Sequence, residues 1–249
     1  MNPLTFNGNS GTPLWTLDGQ RIVFLTYKED KADVYWRAAD NTGNDEFLVS
    51  SPEQLIEPCA WSSDGQMLIT SDFRTGRSSN IGSLSMKSDH AYKQLLQNEI
   101  VEMQPAISPN GKWMAYTANN VTGDLAVFVC PFPDIDKGRW QVSMSDGHSP
   151  LWSPDGKELF YRNDEEVIAV PVETEPTFKR GKPETLFRNN YISLLTTDRH
   201  TWDIHPDGKR FLMMKLAESS SDVPAPPTPR KINIVLNWFE ELKEWVPTD

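Results

Sequence analysis

Cysteine, histidine and clustered basic residues are all scarce in this chain, and each scarcity removes a class of function. There are two cysteines, Cys59 and Cys130. They lie on strand-like segments without metal-ligand spacing, so two buried thiols are expected rather than a disulfide framework or a redox pair. Basic residues number 24 against 35 acidic ones, a net charge of −11, with no dense Lys/Arg run. Such a balance disfavours the phosphate backbone of a nucleic acid or an anionic membrane as partner. No apolar run approaches the length of a membrane helix, and the opening MNPLTFNGNSG has neither a basic patch nor an apolar core. Membrane insertion is therefore not expected. A cytoplasmic location follows if the sequence is complete, and an extracytoplasmic one if it belongs to a longer sensor protein. Gly-X-Ser-X-Gly, phosphate-loop and zinc-protease motifs are all missing.

What the chain does have is aromatic mass and a repeat. Nine Trp and eleven Phe within 249 residues, 38 % of them hydrophobic, are enough for one folded domain spanning 1–249. Aligned on Gly19, Gly65, Gly111, Gly156 and Gly208, the local sequences read WTLDGQ, WSSDGQ, ISPNGK, WSPDGK and IHPDGK, at intervals of 46, 46, 45 and 52. Asp or Asn followed by Gly, with Pro before it in the last three copies, is the chemistry of a type I hairpin turn closed by a positive-φ glycine. The turn carboxylates are accordingly read as structural.

Each turn is followed by a strand-type run (RIVFLTY, QMLITSD, KWMAYTA, KELFYRN, KRFLMMK) and preceded by a large apolar residue: Trp15, Trp61, Ile107, Trp152 and Ile204. Third and outer strands follow in the first four repeats, as DVYWRAA, NIGSLSM, LAVFVCPF and VIAVPVE, then EFLVS, YKQLLQ, RWQVSM and ETLFR. A period of this size with strand composition predicts an all-β fold, a β-propeller of four-stranded blades. Five blades are counted, six being the alternative. The fifth repeat has KINIVLNW as its third strand and no outer strand, so Leu4-Thr5-Phe6 is expected to pair there and close the ring through the two chain ends. The Ser/Pro-rich stretch 217–230 reads as a loop, and 238–246 as a short helix capped by Asn237.

The run Trp152-Ser153-Pro154-Asp155-Gly156-Lys157 and the loop Ser71-Asp72-Phe73-Arg74-Thr75-Gly76 resemble the TolB-like propellers, a family related to the WD-repeat proteins. The first two turns depart from its motif by lacking Pro, and five copies are one fewer than its usual six blades. The resemblance implies a binding or sensing module of the kind appended to bacterial sensor kinases and transcriptional regulators. INIVLNWFEELKEWVP looks like the C-terminal end of such a chain.

Candidate site residues follow from the repeat used as a ruler. Four residues before each packed Trp or Ile stand Gly11, Glu57, Met103, His148 and His200, a ring expected at the channel mouth away from the turns. Glu57, His148 and His200 can hold a divalent metal or act as an acid/base set, with Gln104 as a further polar ligand. No other cofactor is implied. Arg74 and Arg77, after the second strand of repeat two, can clamp an anionic group. The leading expectation is a non-catalytic platform for a protein partner or small ligand. The alternative is a carbohydrate-active hydrolase or lyase, which would need two carboxylates facing across the channel.

Overall fold

The computed structural model describes residues 10–28, 31–51, 55–73, 79–87, 89–97, 101–163, 165–188, 191–192 and 201–215. The chain forms successive antiparallel sheets. The first holds β1 (Ser10–Trp15), β2 (Arg21–Lys28), β3 (Lys31–Ala38) and β4 (Glu46–Ser50) in that spatial order. The second repeats it with β5 (Leu55–Trp61), β6 (Met67–Phe73), β7 (Ser79–Ser85) and β8 (Tyr92–Leu96), and the third with β9 (Glu102–Ile107), β10 (Trp113–Asn119), β11 (Leu125–Pro131) and β12 (Trp140–Gln141). The fourth contains β13 (His148–Trp152), β14 (Glu158–Arg162), β15 (Glu166–Glu173) and β17 (Glu184–Arg188); β16 (Lys179–Arg180) folds back on the far end of β15. A fifth sheet is begun by β18 (Trp202–Ile204) and β19 (Phe211–Met213).

This is the up-and-down blade expected of a propeller, in the order expected from the repeat. Two details differ from the sequence reading. The outer strand RWQVSM pairs only at Trp140 and Gln141, because Val142 and Ser143 turn inward to bond the β11 backbone: the Val142 amide reaches the Val127 carbonyl, and the Ser143 hydroxyl accepts from the Val127 amide. The extra hairpin at β16 follows from Phe178, which buries itself beside Trp113 and Trp140. The closing strand at residues 4–6, the third strand KINIVLNW, the loop 217–230, the helix 238–246, and Arg74, Arg77 and His200 lie outside the described residues.

Period-two alternation makes every blade two-faced. In the second sheet Leu68 and Leu84 join Val23, Leu25 and Val34 of the first, while Ile69 and Ile81 join Met114, Tyr116 and Phe128 of the third. Trp113, Val127 and Val129 then meet Leu159, Tyr161 and Val170, and Phe160 and Val167 meet Trp202, Phe211 and Met213. The core is thus a series of apolar layers between sheets, each blade buried by its neighbours.

Hydrogen bonds reinforce these layers at the inner strands. The Trp61 indole nitrogen donates to the Trp15 carbonyl at 2.8 Å, Trp152 to the Ala106 carbonyl at 3.1 Å and Trp202 to the Ser149 carbonyl at 3.1 Å. Cys59 and Cys130 are buried, free thiols on β5 and β11.

The five turns share one design. The glycines have φ between 67 and 71°, and their amides donate to the carbonyls of Thr16, Ser62, Ser108, Ser153 and His205 at 2.8–2.9 Å. In the first four turns the Thr or Ser hydroxyl donates to the Asp or Asn side chain at 2.6–2.8 Å and accepts from the amide that starts the next strand. The side-chain oxygens of Asp18, Asp64, Asn110, Asp155 and Asp207 also accept from the amide two residues on, at 2.9–3.1 Å.

The turns also lean on one another. A β-carbon added at Gly65 would stand 3.8 Å from Leu17, at Gly156 3.6 Å from Pro109 and at Gly208 3.5 Å from Pro154, while at Gly111 it would collide with the Ser63 side chain. Each turn glycine therefore faces the central residue of the turn before it. At Gly19 the same construction meets nothing within 4 Å.

Candidate functional site

The inner strands carry the site, and the first four are each kinked at one place. Thr12, Gln104 and Ser149 have φ of 47, 56 and 54°, and each precedes a proline (Pro13, Pro105, Pro150). The pairing register shifts at these points, as it does between Pro58 and Ala60 in β5. Such bulges bend a strand and re-aim its side chains. Positive φ in residues other than glycine is uncommon, and here the surrounding hydrogen bonds hold it.

Gln104 is the centre of that network. Its side-chain oxygen accepts from the Thr117 hydroxyl at 2.9 Å and from the Ser149 amide at 2.8 Å, and its own amide donates to the Ser71 hydroxyl at 3.3 Å. One buried residue thereby ties the second, third and fourth sheets together.

Glu57 and His148 occupy equivalent places in their repeats, and both are buried. Glu57 pairs opposite Ser71 and shares its face, which is turned to the third sheet. His148 pairs opposite Arg162. That arginine reaches the Ile192 and Tyr191 carbonyls at 2.9 and 3.2 Å and the Thr201 hydroxyl at 3.1 Å, so its face is turned to the fifth sheet. The His148 Nδ1 lies 3.0 Å from the Ser149 hydroxyl. Equivalent positions thus point into different inter-sheet layers, because a strand side chain projects towards the neighbouring blade rather than the axis. Glu57 and His148 are not brought together. Among the described residues no three His, Cys, Asp or Glu side chains gather in a way that could hold a metal.

The polar end has a distinctive electrostatic character. Glu102 and Tyr116 lie on the face of the third sheet turned to the second. Burial pushes the Tyr116 hydroxyl well above its ordinary range, with Cys130 and Glu102 adding to the effect. In the second sheet the Tyr92 hydroxyl bonds the buried Asp72 carboxylate across Gly82, whose missing side chain leaves room for the contact.

The inner strands line an open cavity of about 720 Å3. Its wall draws on every repeat: Leu14 and Trp15, Ala60 and Trp61, Ala106 and Ile107, Leu151 and Trp152, Trp202 and Ile204, with Leu212 and Met214 from β19. The cavity extends to the turn end, where Pro109 and Pro154 border it. Its size and apolar wall are those of a small-molecule site. Sequence reasoning placed the site at residues four before the packed Trp or Ile. The cavity is formed chiefly by the positions from two before that residue to two after it.

Solved structures share this architecture. A candidate TolB from Agrobacterium tumefaciens superposes with a TM-score of 0.55 at 19 % identity over 73 % of this chain and 65 % of its own. TolB from Acinetobacter baumannii gives 0.51 at 19 % identity over 73 % of this chain and 45 % of its own. An oligogalacturonate lyase in complex with manganese gives 0.60 at 12 % identity over 86 % of this chain and 61 % of its own. The chain therefore spans between 45 and 65 % of the length of these proteins, and at such identities the likeness is one of fold. No curated protein matches the sequence at a significant level. The TolB beta propeller domain family matches residues 6–181. With its turn glycines, its blade order and that match over most of its length, the chain belongs to the TolB beta propeller domain family.

Proposed function

We propose that this protein is a binding or sensing platform that takes a small ligand or a partner's side chain at its central channel, without chemistry of its own. The observation that carries this reading is the cavity of about 720 Å3 walled by the inner strands of all five repeats, lined chiefly by aromatic and aliphatic side chains. A wall of that composition supplies desolvation and shape rather than paired reactive groups. In this reading the buried Glu57, Gln104 and His148 lie between sheets and brace the inner strands around the channel. Contacts from His200, Arg74 and Arg77 to the ligand, with a divalent metal as a further ligand, are proposed from the sequence alone.

A second reading, a carbohydrate-active hydrolase or lyase, draws its support from the fold likeness to oligogalacturonate lyase with manganese. One experiment separates the two. Purified protein is screened by thermal shift against small apolar compounds, peptides and sugar oligomers, each with and without manganese, and sugar samples are analysed for cleavage. Stabilisation without turnover is the expected outcome; cleavage of an oligosaccharide would overturn the platform reading.

A further inference from the structure

The channel wall is not uniform. Trp61 and Trp152 are 8 and 6 % exposed, their indole nitrogens bonded to the preceding blade. Trp15, at the same place in the first repeat, is 55 % exposed. Among the described residues nothing accepts from its indole nitrogen. The neighbouring turn shows the same openness, since Gly19 alone of the five turn glycines faces no earlier turn. Of the tryptophans lining the cavity, Trp15 is the one with a broad free aromatic surface.

Among the described residues that line the cavity, Asp203 is the one with a charged side chain. It lies on β18, opposite Leu212 in the register, on the face turned away from the Trp202, Phe211 and Met213 cluster. Its Oδ1 accepts from the Ile204 amide at 2.8 Å, which anchors the carboxylate where it stands. An exposed indole and a fixed carboxylate on the wall of one largely apolar cavity are the two groups that recognise an organic cation. The ring face attracts the charge, the carboxylate neutralises it, and the remaining wall takes the hydrocarbon. The net charge of −11 favours the approach of the same ligand.

The geometry points to a site for a small apolar ammonium compound, an amine or quaternary ammonium with an aromatic or alkyl group, held by Trp15 and Asp203 in the central cavity. This rests on the platform reading and names its ligand class.

The test uses the full chain with phenyltrimethylammonium and its uncharged match tert-butylbenzene, read by tryptophan fluorescence quenching and thermal shift. The cation is expected to bind more tightly than the neutral compound. Asp203→Asn should weaken the cation about tenfold and leave the neutral compound unchanged. Trp15→Leu should weaken the cation and remove the largest share of the quenching. Asp203 is exposed, so Asp203→Asn should keep the wild-type unfolding midpoint; Asp203→Glu, which keeps the charge, serves as a rescue. Equal affinity for the two compounds, no effect of Asp203→Asn, or no binding of either would overturn the inference. Binding of other ligands in the wider screen would leave the platform reading standing while this one fell, and oligosaccharide cleavage would overturn the platform reading and this inference with it.

Discussion

The indole nitrogen of Trp61 donates to the backbone carbonyl of Trp15, 46 residues earlier and one blade away. Trp61→Phe keeps an aromatic ring there and removes that bond, leaving a part-buried carbonyl without its donor. It should cost roughly 1–2 kcal/mol in urea unfolding, whereas Trp15→Phe, at an exposed ring, should cost under about 0.5 kcal/mol. Equal losses would mean that the bond contributes nothing.

Gln104 offers a sharper case, because its side-chain oxygen accepts from donors in two blades. Gln104→Leu should destabilise by roughly 2–3 kcal/mol, the cost of leaving the Thr117 hydroxyl and Ser149 amide to compete for poorer partners. The comparison is a denaturant titration against Gln141→Leu, whose side chain reaches only the Ser143 carbonyl at the outer edge.

The turn glycines should rank by their neighbours. All have φ near 70°, so an alanine at any of them costs about 1 kcal/mol for backbone strain. Gly111→Ala must also displace Ser63, while Gly19→Ala meets open space. Thermal unfolding should therefore give a clearly larger loss for Gly111→Ala; the reverse order would contradict the stepped packing of the turns.

Acid should act on four turns and spare the third. Hydrogen bonds from Thr16, Ser62 and Ser153 hold Asp18, Asp64 and Asp155 below the ordinary carboxylate range, and chiefly the Lys209 amide holds Asp207 down to about 2. A carboxylate with a lowered folded pKa binds its proton more weakly folded than unfolded. Its stabilising effect is complete above about pH 4 and is lost as pH falls towards about 2. The third turn carries Asn110 in the same geometry and has no such dependence. Asp207→Asn should flatten the acid limb of a plot of urea midpoint against pH; an unchanged slope would show that the other groups account for it.

Burial pushes the Cys130 thiol up to about 12, so it has almost no thiolate at pH 8. In a Cys59→Ser background, labelling by a thiol reagent should proceed at the rate of global unfolding, and at once in guanidine. Fast labelling of the native protein would show that the third blade opens locally.

Most of the architecture was legible because its signals are short-range. Asp-Gly turns at even spacing mark the hairpins, and the runs after them, from Arg21, Met67, Trp113 and Glu158, are short and rich in aliphatic and aromatic residues. The site was less legible. Glu57 and His148 do occupy matching positions and pair in the same register, with Ser71 and Arg162, but each turns towards the next sheet, so one lies between the second and third sheets and the other between the fourth and fifth. The kinks at Thr12, Gln104 and Ser149 were missed for a related reason. Positive φ outside glycine is imposed by partners such as Thr117 that lie on another strand. Only the proline that follows each of them was visible locally.

The leaning of each turn on its predecessor has a consequence for descent. Gly65 answers to Leu17, Gly156 to Pro109 and Gly208 to Pro154, and none of these contacts refers to the ring as a whole. Copy number is therefore written nowhere in the unit. Duplicating or deleting one whole unit of 45 or 46 residues leaves every remaining step intact, so a lineage of such chains can lengthen or shorten by entire blades while the unit itself stays under unchanged selection.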